Sequence, residues 1–283
     1  MAAAGIAGVV AMAAGLAIAG IAAQSHPEGK AKGLVYRSST EYFAGSGGAA
    51  AACPQGKHVS GGGAAFDGAT ADAWIGGLAP DYVSLDISTK HGYSTRASVS
   101  GLGQHIKVVA ICGEPGDLVY RKRKFTFTTS GDPVQLKAHC PAGTHVTGGG
   151  LYNGASDDDF LVSAPYDGND QDSKPDDGWV GRIVPASTAK DVFVRAICSD
   201  AYQLSYHDDD VNGTGVMGKS VVCPAGSAVT GGGMALSGDA GAYPHASQPA
   251  DIGDVNTTPE DGWLAEVSVT GTRTLTVIAI CKS

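Results

Sequence analysis

Six cysteines stand at positions 53, 112, 140, 198, 223 and 281 of a 283-residue chain. Thiols ligate soft metals, attack electrophiles or close disulfides. No two of these cysteines have the close spacing of a zinc ligand pair. Cys53 to Cys112, Cys140 to Cys198 and Cys223 to Cys281 are each separated by 58 or 59 residues. That constancy nominates three bridges, Cys53–Cys112, Cys140–Cys198 and Cys223–Cys281. The alternative pairs neighbours, for example Cys112 with Cys140.

Carboxylates are the second chemical resource. They gather in "DDDF" (Asp157 to Phe160) and "DGNDQDSKPDD" (Asp167 to Asp177). Hard oxygen ligands in a loop suit Ca²⁺, with Asp167, Asn169, Asp170 and Asp172 as candidate ligands. The EF-hand pattern fails: Gln171 and Asp172 stand where an acidic or amide ligand and a glycine are required. The plainer reading is a solvated acidic loop.

The aromatics recur. Trp74, Phe160 and Tyr243 each precede a proline and an aspartate, namely Asp81, Asp167 and Asp251. Tyr93, Trp179 and Trp263 each follow a glycine. Recurrence ordinarily marks core packing. The alternative for one set is a shallow platform on which a sugar ring stacks beside a carboxylate acceptor, and Trp74, Phe160 and Tyr243 with their aspartates are the candidates.

Other patterns carry less. "GTGVMGKS" (Gly213 to Ser220) satisfies the Walker A string, but "VVCPAG" follows instead of a helix, so no nucleotide site is expected. His58 and His145 match each other, yet the third equivalent is Ala228, which argues against a metal site. No Gly-x-Ser-x-Gly elbow and no His-Glu-x-x-His is present, and no catalytic residue can be named.

These residues sit on a repeat. "CPQGKHVSGGG" (Cys53 to Gly63), "CPAGTHVTGGG" (Cys140 to Gly150) and "CPAGSAVTGGG" (Cys223 to Gly233) recur about 85 residues apart. A strand-like segment precedes each: "GLVYRSSTEYF", "DLVYRKRKFTFT" and "AYQLSYHDDDV". Each copy closes on an apolar strand ending in cysteine: "IKVVAIC", "VFVRAIC" and "LTVIAIC". The copies span 33–113, 117–199 and 201–282. Alternation with period two, β-branched closing segments and the absence of any sustained helical period predict an all-β protein. Short joins predict one closed unit with pseudo-threefold symmetry, a β-prism; three small β-sandwiches are the alternative. The Cys-Pro-x-Gly step reads as a turn. Three glycines in a strand weaken it unless something must come close. The expected occupant is the ring of the glycine-aromatic pair or the nearby disulfide.

The net charge is -9, and 23 Asp against 5 Glu favours turns over helices. "YRKRK" (Tyr120 to Lys124) is the only basic cluster, so nucleic acid and anionic membranes are not expected partners. Residues 1–25 read as a secretory signal peptide, or as a membrane anchor if uncleaved. Secretion agrees with a disulfide framework.

The Cys-Pro-x-Gly-x-x-Val-x-Gly-Gly-Gly … Gly-Trp … Ala-Ile-Cys pattern resembles a repeat of secreted bacterial, especially actinobacterial, proteins. More distantly the chain is similar to vitelline membrane outer layer protein 1, a threefold β-prism. That similarity covers the turn, the threefold count and the terminal cysteine; Gly-Gly-Gly stands where that family has glycine followed by an aromatic. It implies carbohydrate binding and transfers no catalytic residue. The expectation is thus an extracellular, non-catalytic module for a carbohydrate or cell-surface polymer, with no cofactor unless Ca²⁺. A surface-coat protein without a small ligand is the first alternative, and a glycan-directed hydrolase using Asp pairs the second.

Overall fold

A computed structural model describes residues 33–68, 72–80, 91–153, 158–168, 172–186, 191–239, 241–252 and 258–283. They form sixteen strands and one short 3-10 turn at Pro115–Asp117. No helix among them is long and apolar enough to cross a membrane. The first segment of the chain gives β1 (Val35–Phe43), β2 (Ser46–Ala52), β3 (His58–Phe66), β4 (Ala73–Pro80), β5 (Gly92–Val99) and β6 (Gln104–Gly113). The next gives β7 (Val119–Thr126), β8 (Val134–His139), β9 (His145–Asn153), β10 (Asp159–Tyr166), β11 (Gly178–Val184) and β12 (Asp191–Ser199). The last gives β13 (Leu204–Val222), β14 (Ala228–Leu236), β15 (Ala242–Ala250) and β16 (Gly262–Lys282). Here two long strands do what four do elsewhere, and β13 shifts register against β16 between Gly213 and Gly215.

All pairings are antiparallel and follow one plan. β6 lies between β1 and β3, β12 between β7 and β9, and the second half of β16 between β13 and β14. Likewise β5 lies between β2 and β4, β11 between β8 and β10, and the first half of β16 between β13 and β15. These three-stranded groups then join across segments: β4 to β9 at Leu78↔Leu151, β10 to β14 at Ser163↔Met234, and β15 to β3 at Ser247↔Ala64. The joins form a ring: each segment pairs with both others. One sheet has six strands, and the other has ten because β13 and β16 pass unbroken from one group to the next.

The glycine runs are what allow the ring. A Cβ added to Gly62, Gly149 or Gly232 would fall well under 3.0 Å from the ring of Tyr93, Trp179 or Trp263. The middle glycine therefore seats the aromatic, as the sequence suggests; the disulfide is not among its near neighbours. The first and third glycines meet something the sequence does not disclose. Methyls on Gly61, Gly148 and Gly231 would strike the backbone at Thr230, Ser60 and Thr147. Methyls on Gly63, Gly150 and Gly233 would strike it at Ser247, Leu78 and Ser163. All six obstacles belong to another segment. In each of β3, β9 and β14 one residue is bulged out before the run: Ser60, Thr147 and Thr230. Their hydroxyls donate to the carbonyls of Ile111, Ile197 and Ile280. Thr147 and Thr230 also donate to the Ser60 and Thr147 carbonyls, each at 3.0 Å.

The bridges are Cys53–Cys112, Cys140–Cys198 and Cys223–Cys281, with Cα separations of 5.6 to 5.7 Å. Each opens a turn in which Gly56, Gly143 or Gly226 has φ of +81° or +82°, so the Cys-Pro-x-Gly reading holds. A larger core is built on Trp179, Trp263, Phe160 and the β16 valines, and a smaller one on Tyr93, Ile75 and Ile106.

Candidate functional site

β4, β10 and β15 each carry a bulge, at Gly76, Leu161 and His245. Just before it, Trp74 faces Ser98, Asp159 faces Val184 and Tyr243 faces Ser268. These partners stand equally far along β5, β11 and β16. Asp159, not Phe160, is therefore the counterpart of Trp74 and Tyr243. Phe160 instead matches Ile75 and Pro244, and a shift of one residue turns a strand side chain to the opposite face. It is fully buried, which removes it from any surface platform.

Trp74 is half-buried and Tyr243 is 38% exposed. Their rings meet edge to face at 6.0 Å. Two residues before Tyr243, the Gly241 N–H donates to the Asp159 carboxylate at 2.9 Å. Beneath lies His245, buried, with Nε2 2.6 Å from the Ser268 hydroxyl. Burial lowers its pKa below the usual imidazole value, so it is neutral at pH 7. The result is a surface with two aromatic rings and one carboxylate, contributed by three different segments. Such a surface can stack on the apolar face of a sugar and accept its hydroxyl hydrogen bonds.

The other set, Tyr93, Trp179 and Trp263, is core: each is at most 2% exposed. Trp179 and Trp263 donate their indole N–H to Ser163 and Ser247, and Tyr93 donates to the Gly149 carbonyl. Two of the aspartates expected beside the platform are elsewhere. Asp167 and Asp251 follow the far ends of β10 and β15, and Tyr243 to Asp251 is eight strand residues, roughly 26 Å. Asp81 lies outside the described residues. The loops after β10 and β15 are instead closed by Asp177 and Asp261, which accept from the N–H groups of Gly168 and Ile252.

Of the proposed Ca²⁺ ligands, Asn169 and Asp170 lie outside the described residues. Asp167 is exposed. Asp172 accepts the Lys174 N–H at 2.8 Å and pairs with its ammonium, which together hold its carboxyl below the ordinary value. Among the described residues no group of three or more His, Cys, Asp or Glu could hold a metal ion. The Walker-like string lies within β13, and Lys219 pairs with Asp209 at 2.7 Å. His145 pairs with Asp176 at 2.8 Å, and His58 packs edge to face on His91.

Two grooves occupy matching places between segments. One of about 540 Å³ is lined by Lys174, Pro175, Tyr206, Asp208 and Ile278. The other, about 180 Å³, is lined by Tyr36, Arg37, Lys107, Thr258 and Pro259. Their tyrosine hydroxyls are already committed: Tyr36 donates to Val229, Tyr206 to Val146, and the matching Tyr120 to Val59, at 2.6 to 2.8 Å. Burial raises the pKa of all three well above that of free tyrosine. That leaves the Trp74–Tyr243 surface as the better ligand site, because Tyr243 is exposed and Trp74 and Asp159 are each partly so.

No protein-family model matches the chain, and no curated protein aligns with it.

Proposed function

We propose that this chain is a secreted, non-catalytic binding module for a carbohydrate or a cell-surface polymer, built as a three-walled β-prism. The cyclic joins of β4 to β9, β10 to β14 and β15 to β3 support the prism. Three disulfides suit an oxidising compartment. The observation that carries the ligand class is the outward aromatic pair Trp74–Tyr243 with Asp159 alongside. Aromatic faces recognise the C–H face of a pyranose, and the carboxylate fixes its orientation.

A glycan array followed by calorimetry on the best ligand tests this. Trp74→Ala and Tyr243→Ala are each expected to weaken binding about tenfold, the equivalent of about 1.4 kcal/mol. Phe160→Leu leaves binding at the wild-type level, because that ring never reaches the surface. Retention of no glycan, or equal binding by wild type and both aromatic variants, overturns the reading.

A further inference from the structure

β1, β7 and the first half of β13 are matched outer strands, and among the described residues each pairs on one side only. Their one constant residue is the tyrosine that donates to the neighbouring segment: Tyr36, Tyr120 and Tyr206. Beyond it they diverge in charge. β1 carries Arg37 and Glu41, β7 carries Arg121, Lys122, Arg123 and Lys124, and β13 carries Asp208, Asp209 and Asp210. All four cations and all three carboxylates are exposed. Among the described residues, internal ion pairs engage one of each, through Lys124–Asp191 and Asp209–Lys219. Lys122 is crowded by Arg195 and Lys124, and burial together with those two cations lowers its pKa. An added anion would relieve that crowding.

A charged outer strand usually prevents sheets from joining edge to edge. Here the signs differ between two edges of one molecule. β7 against β7, or β13 against β13, sets like charges face to face; β7 against β13 sets opposite ones. We infer that copies of this chain associate edge to edge, β7 of one molecule pairing with the first half of β13 of the next and extending the sheet across the boundary. Antiparallel alignment with Lys122 opposite Asp210 of the second copy places Arg123 opposite Asp209 and Lys124 opposite Asp208. Directly opposed residues of an antiparallel pair share a face, so the three charge pairs form together. The two edges are matched positions of one fold, so the sheet faces also agree across the join. Each molecule uses a different strand at each end. The contact is heterologous and continues from copy to copy rather than stopping at two.

Sedimentation velocity on the whole chain, over rising concentration and two salt levels, tests the proposal. Association is expected to grow with concentration and to weaken at least tenfold from about 0.1 M to about 1 M salt, as the screening length falls from about 10 Å to about 3 Å. The doubly substituted Lys122→Glu/Arg123→Glu protein sets glutamates opposite Asp210 and Asp209, and Asp208→Lys/Asp210→Lys sets lysines opposite Lys124 and Lys122. Each alone should remain monomeric with an unchanged circular dichroism spectrum, and an equimolar mixture should form a heterodimer through its one unsubstituted β7–β13 pair. Recovery on mixing is the result a fold defect cannot produce. Wild-type protein that stays monomeric at every concentration overturns the proposal. So does monomeric protein that binds a polyanion such as polygalacturonate through Lys122 and Arg123, which assigns β7 to an acidic polymer instead. Association untouched by either substitution overturns it as well.

Discussion

The strands β3, β9 and β14 and the outer strands β1, β7 and β13 occupy matched places three times over, and they treat their residues in opposite ways. The first group repeats a valine, a hydroxyl residue and three glycines at the same positions. The second keeps a tyrosine and otherwise ranges from four cations to three carboxylates. The cause is what each side chain would meet. Every glycine of the run lies against another segment's backbone or an aromatic ring. Beyond their tyrosines, the outer strands face mainly water. Identity is dictated where the fold closes on itself, and chemistry is free to vary where it opens.

Four changes test that contrast, in order of expected size. Replacing Cys140 and Cys198 together by serine releases a long loop joining the start of one closing turn to β12. The expected loss is about 4 kcal/mol in the chain-entropy account, read by denaturant unfolding with tryptophan fluorescence. Gly148→Ala forces a methyl into the Ser60 carbonyl and should cost about 3 kcal/mol. Gly116→Ala, which meets nothing, should stay within about 0.5 kcal/mol. Equal effects at the two glycines would erase the distinction.

Tyr206→Phe comes third. It strands the Val146 carbonyl and should cost about 1 to 3 kcal/mol, while Arg121→Ala on the matched exposed edge costs about 0.5 kcal/mol or less. The smallest effect belongs to His245. Its folded pKa is depressed by burial, so the unfolded chain binds the proton first. Its contribution is complete above about pH 6.5 and is lost as pH falls through the lower folded pKa. Burial raises the pKa of Glu266, which acts in the opposite sense, so the readout is a difference. Between pH 7 and pH 5 the melting temperature of the wild type should fall further than that of His245→Leu.

The cysteine pairing was legible because three separations of 58 or 59 residues have a single economical explanation. The all-β class was legible from period-two alternation, and the middle glycine from the aromatic that recurs downstream. The partners of the first and third glycines were not, since Thr230 or Leu78 is brought there by closure of the ring and by nothing local. The platform was misread by one position. Aligning like with like puts Phe160 beside Trp74 and Tyr243, but Trp74, Asp159 and Tyr243 are the residues that stand six before the strand's proline, at Pro80, Pro165 and Pro249, and two before a bulge that all three strands share. The placement of Asp167 and Asp251 failed for a simpler reason: seven or eight residues are adjacent on paper and far apart on an extended strand. "YRKRK" was visible as a basic cluster, and three aspartates stand in the strand-like segment "AYQLSYHDDDV". That they stand on equivalent edges follows only from the shared pairing with β12 and β16.

The ring of joins also sets when folding can finish. β3 forms early in the chain, yet its partner across segments is β15, roughly 180 residues further on. At ribosomal rates of about 5 to 20 residues per second, that strand is not available for on the order of ten to forty seconds. Until then the flank of β3 that carries Ala64 and Ala65 has no β15 to cover it, and no other strand of the first segment pairs there. Completion must therefore wait until β15 has been made, and a nascent chain long enough to hold only two segments is a species that a chaperone should recognise.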